Sequence, residues 1–269
     1  MALKFLFLLF KNFKSFENLI LEYGICHLSI APIRNENSHK SELISQLLYG
    51  DCFKVISKKN EWLQITTLTD QYSGWVDYKQ TQLITKSEAE DISFKIDSYS
   101  SSLVDYVETS ENKLISLVLG SNIGAAKFLG HEFKGSIIKG KKPKTNLIRT
   151  ASLYLHSPYL WGGKTPMGID CSGLTQMIYR INGYNIPRDA SEQVKLGETL
   201  SFIDESDDGD LAFFDDEDGN IIHVGLLLRN NYILHAHGEV RIDMVDQTGI
   251  YNIKTKRHSH NLRIIKNLI

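Results

Sequence analysis

The apolar positions of this chain change their spacing twice. From residue 23 to about residue 83 they fall in short runs at 26–31, 52–57, 62–67 and 74–77, each reading as a strand, with turn residues between them. No long helical pattern interrupts them, which predicts a small barrel. Between 87 and 140 the clusters at 114–120, 127–130 and 135–138 predict a second small β-rich unit, followed by a basic, proline-containing linker at 139–144. From Asn146 the spacing is helical. Leu147, Ile148, Ala151 and Leu155 predict a helix with Asn146 as N-cap, stopped by Ser157-Pro158. Leu174, Met177, Ile178 and Ile181 predict a second helix from Ser172 to a C-cap at Asn182-Gly183, and a short one follows at 191–196, closed by Gly197. After Gly209-Asp210 the pattern alternates again, predicting strands at 211–214, 221–228 and 232–237 with turns at Asp218-Gly219-Asn220 and Asn230-Asn231. Helices followed by antiparallel strands make an α+β domain.

The chemistry concentrates between Tyr159 and Asn182. Cys171 follows a loop marked by Gly162, Gly163, Pro166 and Gly168 and precedes the central helix. A thiol on the first turn of a helix meets unpaired N–H groups and the positive end of the helix dipole, both of which favour the nucleophilic thiolate. A buried cysteine is commonly no more than a small hydrophobe, but the polar neighbours Asp170 and Ser172 favour the reactive reading. Acyl chemistry also needs an imidazole within reach and a group to orient it. Alternation puts His223 on the face of Ile221, Gly225 and Leu227, and folding back at Asn230-Asn231 brings His235 roughly opposite. A lone strand histidine is an ordinary half-buried side chain; two of them spaced to meet Cys171 predict a Cys–His–His line. The alternative is a zinc site made by His223, His235 and His237, for which no fourth ligand is evident.

Composition narrows the field. The chain has 269 residues, 42% hydrophobic and 23% charged, with a formal net charge of −2. These are the proportions of an ordinary globular protein with no general attraction for nucleic acid. Three cysteines, Cys26, Cys52 and Cys171, with no Cys-x-x-Cys pair, exclude a disulfide framework, and Cys26 and Cys52 read as core. The acidic stretch from Asp204 begins like a calcium loop but places Asp215, inside an apolar strand, where a glutamate belongs; it reads as a solvated loop. The first ten residues resemble the start of a signal peptide, with Lys4 before an apolar run, yet Lys11 and Lys14 follow without a small-x-small cleavage site. The run is too short to span a bilayer. The expectation is a non-cleaved extension on a cytoplasmic protein, with an exported protein as the alternative.

Several separated motifs agree with one family. Tyr159-Leu160-Trp161-Gly162-Gly163, Asp170-Cys171-Ser172-Gly173, Pro187-Arg188-Asp189-Ala190-Ser191, Gly209-Asp210, His223-Val224-Gly225 and Ile233-Leu234-His235-Ala236 match, in order, the NlpC-type papain-like cysteine peptidases of bacterial cell-wall metabolism. Pro32-Ile33-Arg34, Ser41-Glu42, Gln46 to Gly50, Trp62 and Asp70 to Val76 resemble a bacterial SH3-like domain of the type that precedes such peptidases. The resemblance implies a papain-like catalytic domain at 146–269, an SH3-like barrel at 22–86, a second β-rich, SH3-like unit at 87–145 and an extension at 1–21.

It also implies roles. Cys171 would be nucleophile, His223 general base and His235 the orienting residue, with Tyr159, Asp170, Ser172 and Ser191 lining the substrate site. Glu42 and Tyr72 would hold the free amino group of an N-terminal L-alanine, with Asp170 adding charge. The implied reaction is hydrolysis of the γ-D-glutamyl-L-diamino acid bond of peptidoglycan peptides, with no cofactor or metal, no nucleic acid partner and no stable membrane insertion. The alternatives are an exported endopeptidase acting on intact peptidoglycan and a non-catalytic peptidoglycan-binding protein.

Overall fold

The computed structural model of the chain describes residues 22–94, 98–253 and 255–269. The expected extension at 1–21 lies outside them. The front sheet is built from β1 (Tyr23–Ile25), β2 (Ile30–Arg34), β3 (Leu43–Leu48), β4 (Cys52–Lys59), β5 (Trp62–Thr67), β6 (Ser73–Asp77) and β7 (Gln82–Ile84), in the order β3-β2-β6-β5-β4-β1-β7. Strict period two is plain in β5, where Leu63, Ile65 and Thr67 are buried between partly exposed neighbours. These strands enclose Cys26, Ala31, Ile33, Leu47, Phe53, Leu63, Ile65 and Val76. The segment 26–31 is not one strand. Cys26 leaves β1 to donate its N–H to the Asp51 carbonyl at 2.9 Å, and pairing resumes only at Ile30. Trp75 is half-buried on β6, outside that core.

The middle of the chain opens with a helix that the apolar pattern does not reveal, α1 (Lys86–Phe94). Among the residues of this helix whose burial is described, Ala89 and Ile92 are the buried ones, an apolar stripe too narrow to stand out among Lys86, Glu88, Glu90 and Asp91. Then come β8 (Ser98–Ser100), β9 (Val104–Thr109), β10 (Leu114–Val118), β11 (His131–Phe133) and β12 (Ile137–Lys139), paired as β10-β9-β11 and β12-β8. Residues 127–130 form turns, not a strand. The unit is bonded to the front barrel: the Tyr49 hydroxyl meets His131 Nδ1 at 2.8 Å, and Asn122 donates its side-chain N–H to the Gly50 carbonyl at 3.0 Å.

The rear part holds α2 (Asn146–Ser152), the small hairpin β13 (Lys164–Thr165) and β14 (Gly168–Ile169), α3 (Cys171–Ile181) and α4 (Ala190–Gln193). The sheet strands follow: β15 (Glu198–Leu200), β16 (Leu211–Asp215), β17 (Ile221–Leu228), β18 (Tyr232–His237), β19 (Glu239–Val245), β20 (Gly249–Asn252) and β21 (Arg257–Asn267). Their order is β15-β21-β16-β17-β18-β19-β20, and β20 pairs again with β21, so the sheet curls into a barrel. The residue preceding α2 is Thr145, without a side-chain cap bond; the Asn146 side chain instead donates to Asn182 Oδ1 at 2.5 Å.

Both faces of β17 are covered, which is why it reads as an almost unbroken apolar run. Val224 and Leu226 pack with Leu174, Met177 and Ile178 of α3, while Leu227 lies inside the barrel with Phe214, Ile233 and Val245. Burying such side chains contributes about 1.5–3 kcal/mol each. Every residue of α3 is buried. Two of its polar side chains are accommodated by the front barrel: Gln176 donates to Asp70 Oδ2 at 2.7 Å, and the Arg180 guanidinium forms a buried ion pair with Asp51. Among the described residues no helix is long and apolar enough to cross a membrane.

Candidate active site

Cys171 opens α3, and its place is fixed by the residue before it. Asp170 is the N-cap: its Oδ1 accepts from Gly173 N–H at 2.7 Å, and its Oδ2 accepts from Gly162 N–H at 2.8 Å. Gly162 is at φ +77°, and a Cβ there would lie 2.3 Å from the Leu43 carbonyl of the front barrel, so this turn requires glycine. Buried Arg188 then closes on the same carboxylate, Nη1 to Oδ1 at 2.9 Å and Nη2 to Oδ2 at 2.5 Å, and also reaches Ser172 Oγ at 2.9 Å and Ser45 Oγ at 3.2 Å. Asp170 therefore lines the groove with its charge already matched by a guanidinium, not as a free anion awaiting an ammonium group.

The thiol is pushed up to about 12, first by burial and then by the Asp170 carboxylate, against the N–H groups of Val224 and Ser172 and the Arg188 charge. The helix terminus alone predicts a thiolate. Burial overrides it, and the resting sulfur is a neutral thiol.

The two histidines meet as rings. His223 Nε2 lies 2.9 Å from His235 Nδ1, and both residues are buried. The strand register sets Leu226 against Leu234, so His235 sits diagonally from His223, toward Gly225. A Cβ at Gly225 would stand 2.6 Å from Ile233 Cδ1 and 3.0 Å from the His235 Cβ; the missing side chain makes room for the contact. His260 of β21 stacks on His223 with centroids 4.2 Å apart. Burial, then neighbouring His235, His260 and His237, hold His223 well below the usual histidine value. His223 Nδ1 has no hydrogen-bond partner among the described residues, and no hydrogen bond joins it to Cys171. The sulfur instead faces the N–H of Val224, the next residue along β17. Catalytic contacts are often long without substrate.

A groove of about 490 Å³ runs past Cys171, Ser172 and Ser191, and its far wall comes from the front barrel as Glu42, Ile44 and Tyr72. Exposed Glu42 accepts from Trp161 Nε1 at 2.6 Å, and Tyr72 donates to Asp189 Oδ1 at 3.2 Å. Tyr159 does not line this groove; it stands close by, its phenol pushed up to about 12 by burial, then by Cys171 and Asp170. Among the described residues no group of three or more His, Cys, Asp or Glu is arranged to hold a metal ion, so the zinc alternative at His223, His235 and His237 has no geometry to support it.

Residues 156–258 match the NlpC/P60 family, and residues 33–80 match the bacterial dipeptidyl-peptidase SH3 domain. The chain carries an NlpC/P60 domain behind a bacterial SH3 domain and is a cysteine peptidase. The peptidase is 28% identical over 212 residues to the gamma-D-glutamyl-L-lysine dipeptidyl-peptidase of Bacillus subtilis, covering 71% of each chain. It is 28% identical over 252 residues to dipeptidyl-peptidase 6 of Lysinibacillus sphaericus, covering 81% of this chain and 90% of the relative. A solved NlpC/P60 family protein from Bacillus cereus superposes with a TM-score of 0.72 at 18% identity, over 91% of this chain and 99% of that one, a likeness of fold.

Sequence reasoning left unassigned three groups that the peptidase brings to this site. Arg188 and Asp189 stand in the quoted motif Pro187 to Ser191, where an adjacent opposite-charge pair in an apolar setting was the available signal. Asp243, whose Oδ2 lies 3.1 Å from His235 Nε2, is on a strand that the pattern did not predict.

Proposed function

We propose that this peptidase hydrolyses the bond between γ-D-glutamate and the diamino acid, meso-diaminopimelate or lysine, in peptidoglycan stem peptides that carry a free N-terminal L-alanine. The role is recycling of murein peptides in the cytoplasm. The observation that carries the reading is that Glu42 and Tyr72, from a different barrel, stand across one groove from Cys171. A groove walled at that end suits a short free peptide better than a long glycan-linked one, and an ammonium leaving water needs a carboxylate and hydroxyls around it. Glu42 supplies the charge, oriented by Trp161, and half-buried Asp189 with Tyr72 adds a second acidic group.

In this mechanism Cys171 Sγ attacks the γ-carbonyl carbon of D-glutamate as His223 Nδ1 takes the thiol proton. The N–H groups at the start of α3 stabilise the oxyanion. Collapse breaks the C–N bond, and His223 returns the proton to the departing amine of the diamino acid. Water, deprotonated by His223, then hydrolyses the thioester; L-Ala-D-Glu leaves with a free γ-carboxylate, and His223 returns the proton to Cys171 Sγ. The thiol and imidazole both start neutral, so the proton moves only once substrate is in place.

The deciding experiment compares L-Ala-γ-D-Glu-meso-diaminopimelate with its N-acetylated form. The free tripeptide is expected to be cut with kcat/KM about 100-fold higher, the scale of one lost charge-assisted contact. Replacing Glu42 by Gln should shrink that ratio. Equal rates for the two substrates would remove the amino-group clamp while sparing the nucleophile and base.

A further inference from the structure

The hydrogen-bond chain behind His223 ends on a charged group. His223 Nε2 faces His235 Nδ1 at 2.9 Å, His235 Nε2 faces Asp243 Oδ2 at 3.1 Å, and Arg241 Nη2 donates to Asp243 Oδ1 at 2.8 Å. His223, His235 and Asp243 are all buried. We propose that Asp243 is a positioning residue that sets the tautomers of both histidines and so leaves the lone pair of His223 on Nδ1, the nitrogen that must take the thiol proton. This rests on the assignment of Cys171 and His223 given above.

The argument is one of donors and acceptors. A carboxylate only accepts, and a neutral imidazole has one N–H and one lone pair. Burial pushes the Asp243 carboxyl up, but hydrogen bonds from His235 and Arg241 outweigh it and hold the group below the usual carboxylate range. Burial holds both imidazoles below the usual histidine value, so both are neutral near pH 7. Asp243 therefore requires the His235 proton on Nε2. His235 Nδ1 then bears the lone pair, His223 must donate from Nε2, and His223 Nδ1 is left as the base. The opposite assignment would set two lone pairs against each other at His235 Nε2 and Asp243 Oδ2. Arg241, which only donates, bonds the other carboxylate oxygen through Nη2, while its Nε stands 2.7 Å from Oδ2 as an ion-pair contact without a hydrogen bond.

Asp243→Asn separates this role from packing. The carboxamide has one oxygen and one NH2; Arg241 takes the oxygen, the NH2 turns to His235 Nε2, and both tautomers reverse. His223 Nδ1 then carries a proton and cannot act as base.

The test uses the full chain with 15N-labelled histidine. In the unaltered protein, NMR should show His235 and His223 protonated on Nε2. In Asp243→Asn both should move to Nδ1, with kcat down about 100-fold or more and KM little changed, as expected where a carboxamide enforces the wrong tautomer. Adding Arg241→Ala to that variant frees the amide to rotate and should restore Nε2 protonation and part of kcat. His235 protonated on Nδ1 in the unaltered protein would overturn the proposal, whether or not any variant folds. So would an Asp243→Asn enzyme with kcat within about threefold of normal, or one that loses activity with its tautomers unchanged. The NMR measurement works equally on Cys171→Ala protein, so persistent hydrolysis by that variant would dismiss the nucleophile without touching the tautomer result.

Discussion

The front barrel encloses Cys26, Ala31, Ile33, Leu47, Phe53, Leu63, Ile65 and Val76, and its polar contributions to the groove, Glu42 and Tyr72, stand outside that core. The rear barrel encloses Phe214, Leu227, Ile233 and Val245, yet on the same strands it also buries His223, His235 and Asp243. The thiols differ in parallel. Burial pushes Cys26 far up, with Asp51 adding to the effect and only the Leu28 backbone contact opposing it; burial and then Asp170 also raise Cys171, but there Arg188 and the N–H groups of Val224 and Ser172 push back. An apolar interior is enough to hold a fold together. A reactive interior also needs each buried polar group to lead to a compensating charge, as Asp170 leads to Arg188 and His235 leads through Asp243 to Arg241.

Three changes probe that contrast. The largest effect is expected for Cys171→Ala, which should abolish hydrolysis by at least about 10⁴-fold while the equivalent Cys26→Ala leaves kcat within about twofold. Appreciable turnover by the first variant, measured as diamino acid released, would mean that the rear barrel is not the reactive one. Next is Arg188→Met, which strands a buried Asp170 and should cost about 3–5 kcal/mol in chemical denaturation; adding Asp170→Asn should return part of it. No loss on removing Arg188 would show that Asp170 is solvated after all. Smallest is the effect of acid. His223, His235 and His260 are held below the usual histidine value by burial, His260 at about 4. The unfolded chain takes up protons near pH 6.5 while the folded chain does not until lower, so stability should be complete above about pH 6.5 and decline as pH falls toward 4. A denaturation midpoint flat across that window would contradict the neutral state assigned to these rings.

The sequence was most readable where one pattern met one environment. Strands β17 and β18 show through as apolar runs and helix α3 through the helical spacing of Leu174, Met177, Ile178 and Ile181, and Cys171 was visible because its loop is punctuated by glycine. Helix α1 was invisible because Ala89 and Ile92 cannot outvote its charges. Strand β19 would have misled in a different way. Its alternation suggests Val240, Ile242 and Met244 inside and Arg241 and Asp243 outside, whereas Asp243 is buried and Ile242 and Met244 are exposed. A carboxylate goes inside only when partners wait there; one, Arg241, is two residues away on β19, but the other, His235, comes from β18, and no local pattern reports that meeting. The partners of Arg188 and Arg180 are hidden for the same reason, lying up to 143 residues away in the chain.

The buried ion pair of Arg180 with Asp51, the reach of Arg188 to Ser45 and the Leu43 carbonyl pressed against Gly162 all cross from one barrel to the other. Severing the chain between the barrels would uncover a guanidinium that has no neighbour of its own to answer it and a helix whose polar flank was never meant for water. The front barrel is thus no interchangeable attachment. Anyone hoping to graft this hydrolase onto a different front domain would have to carry Asp51, Ser45 and the loop around Leu43 along with it.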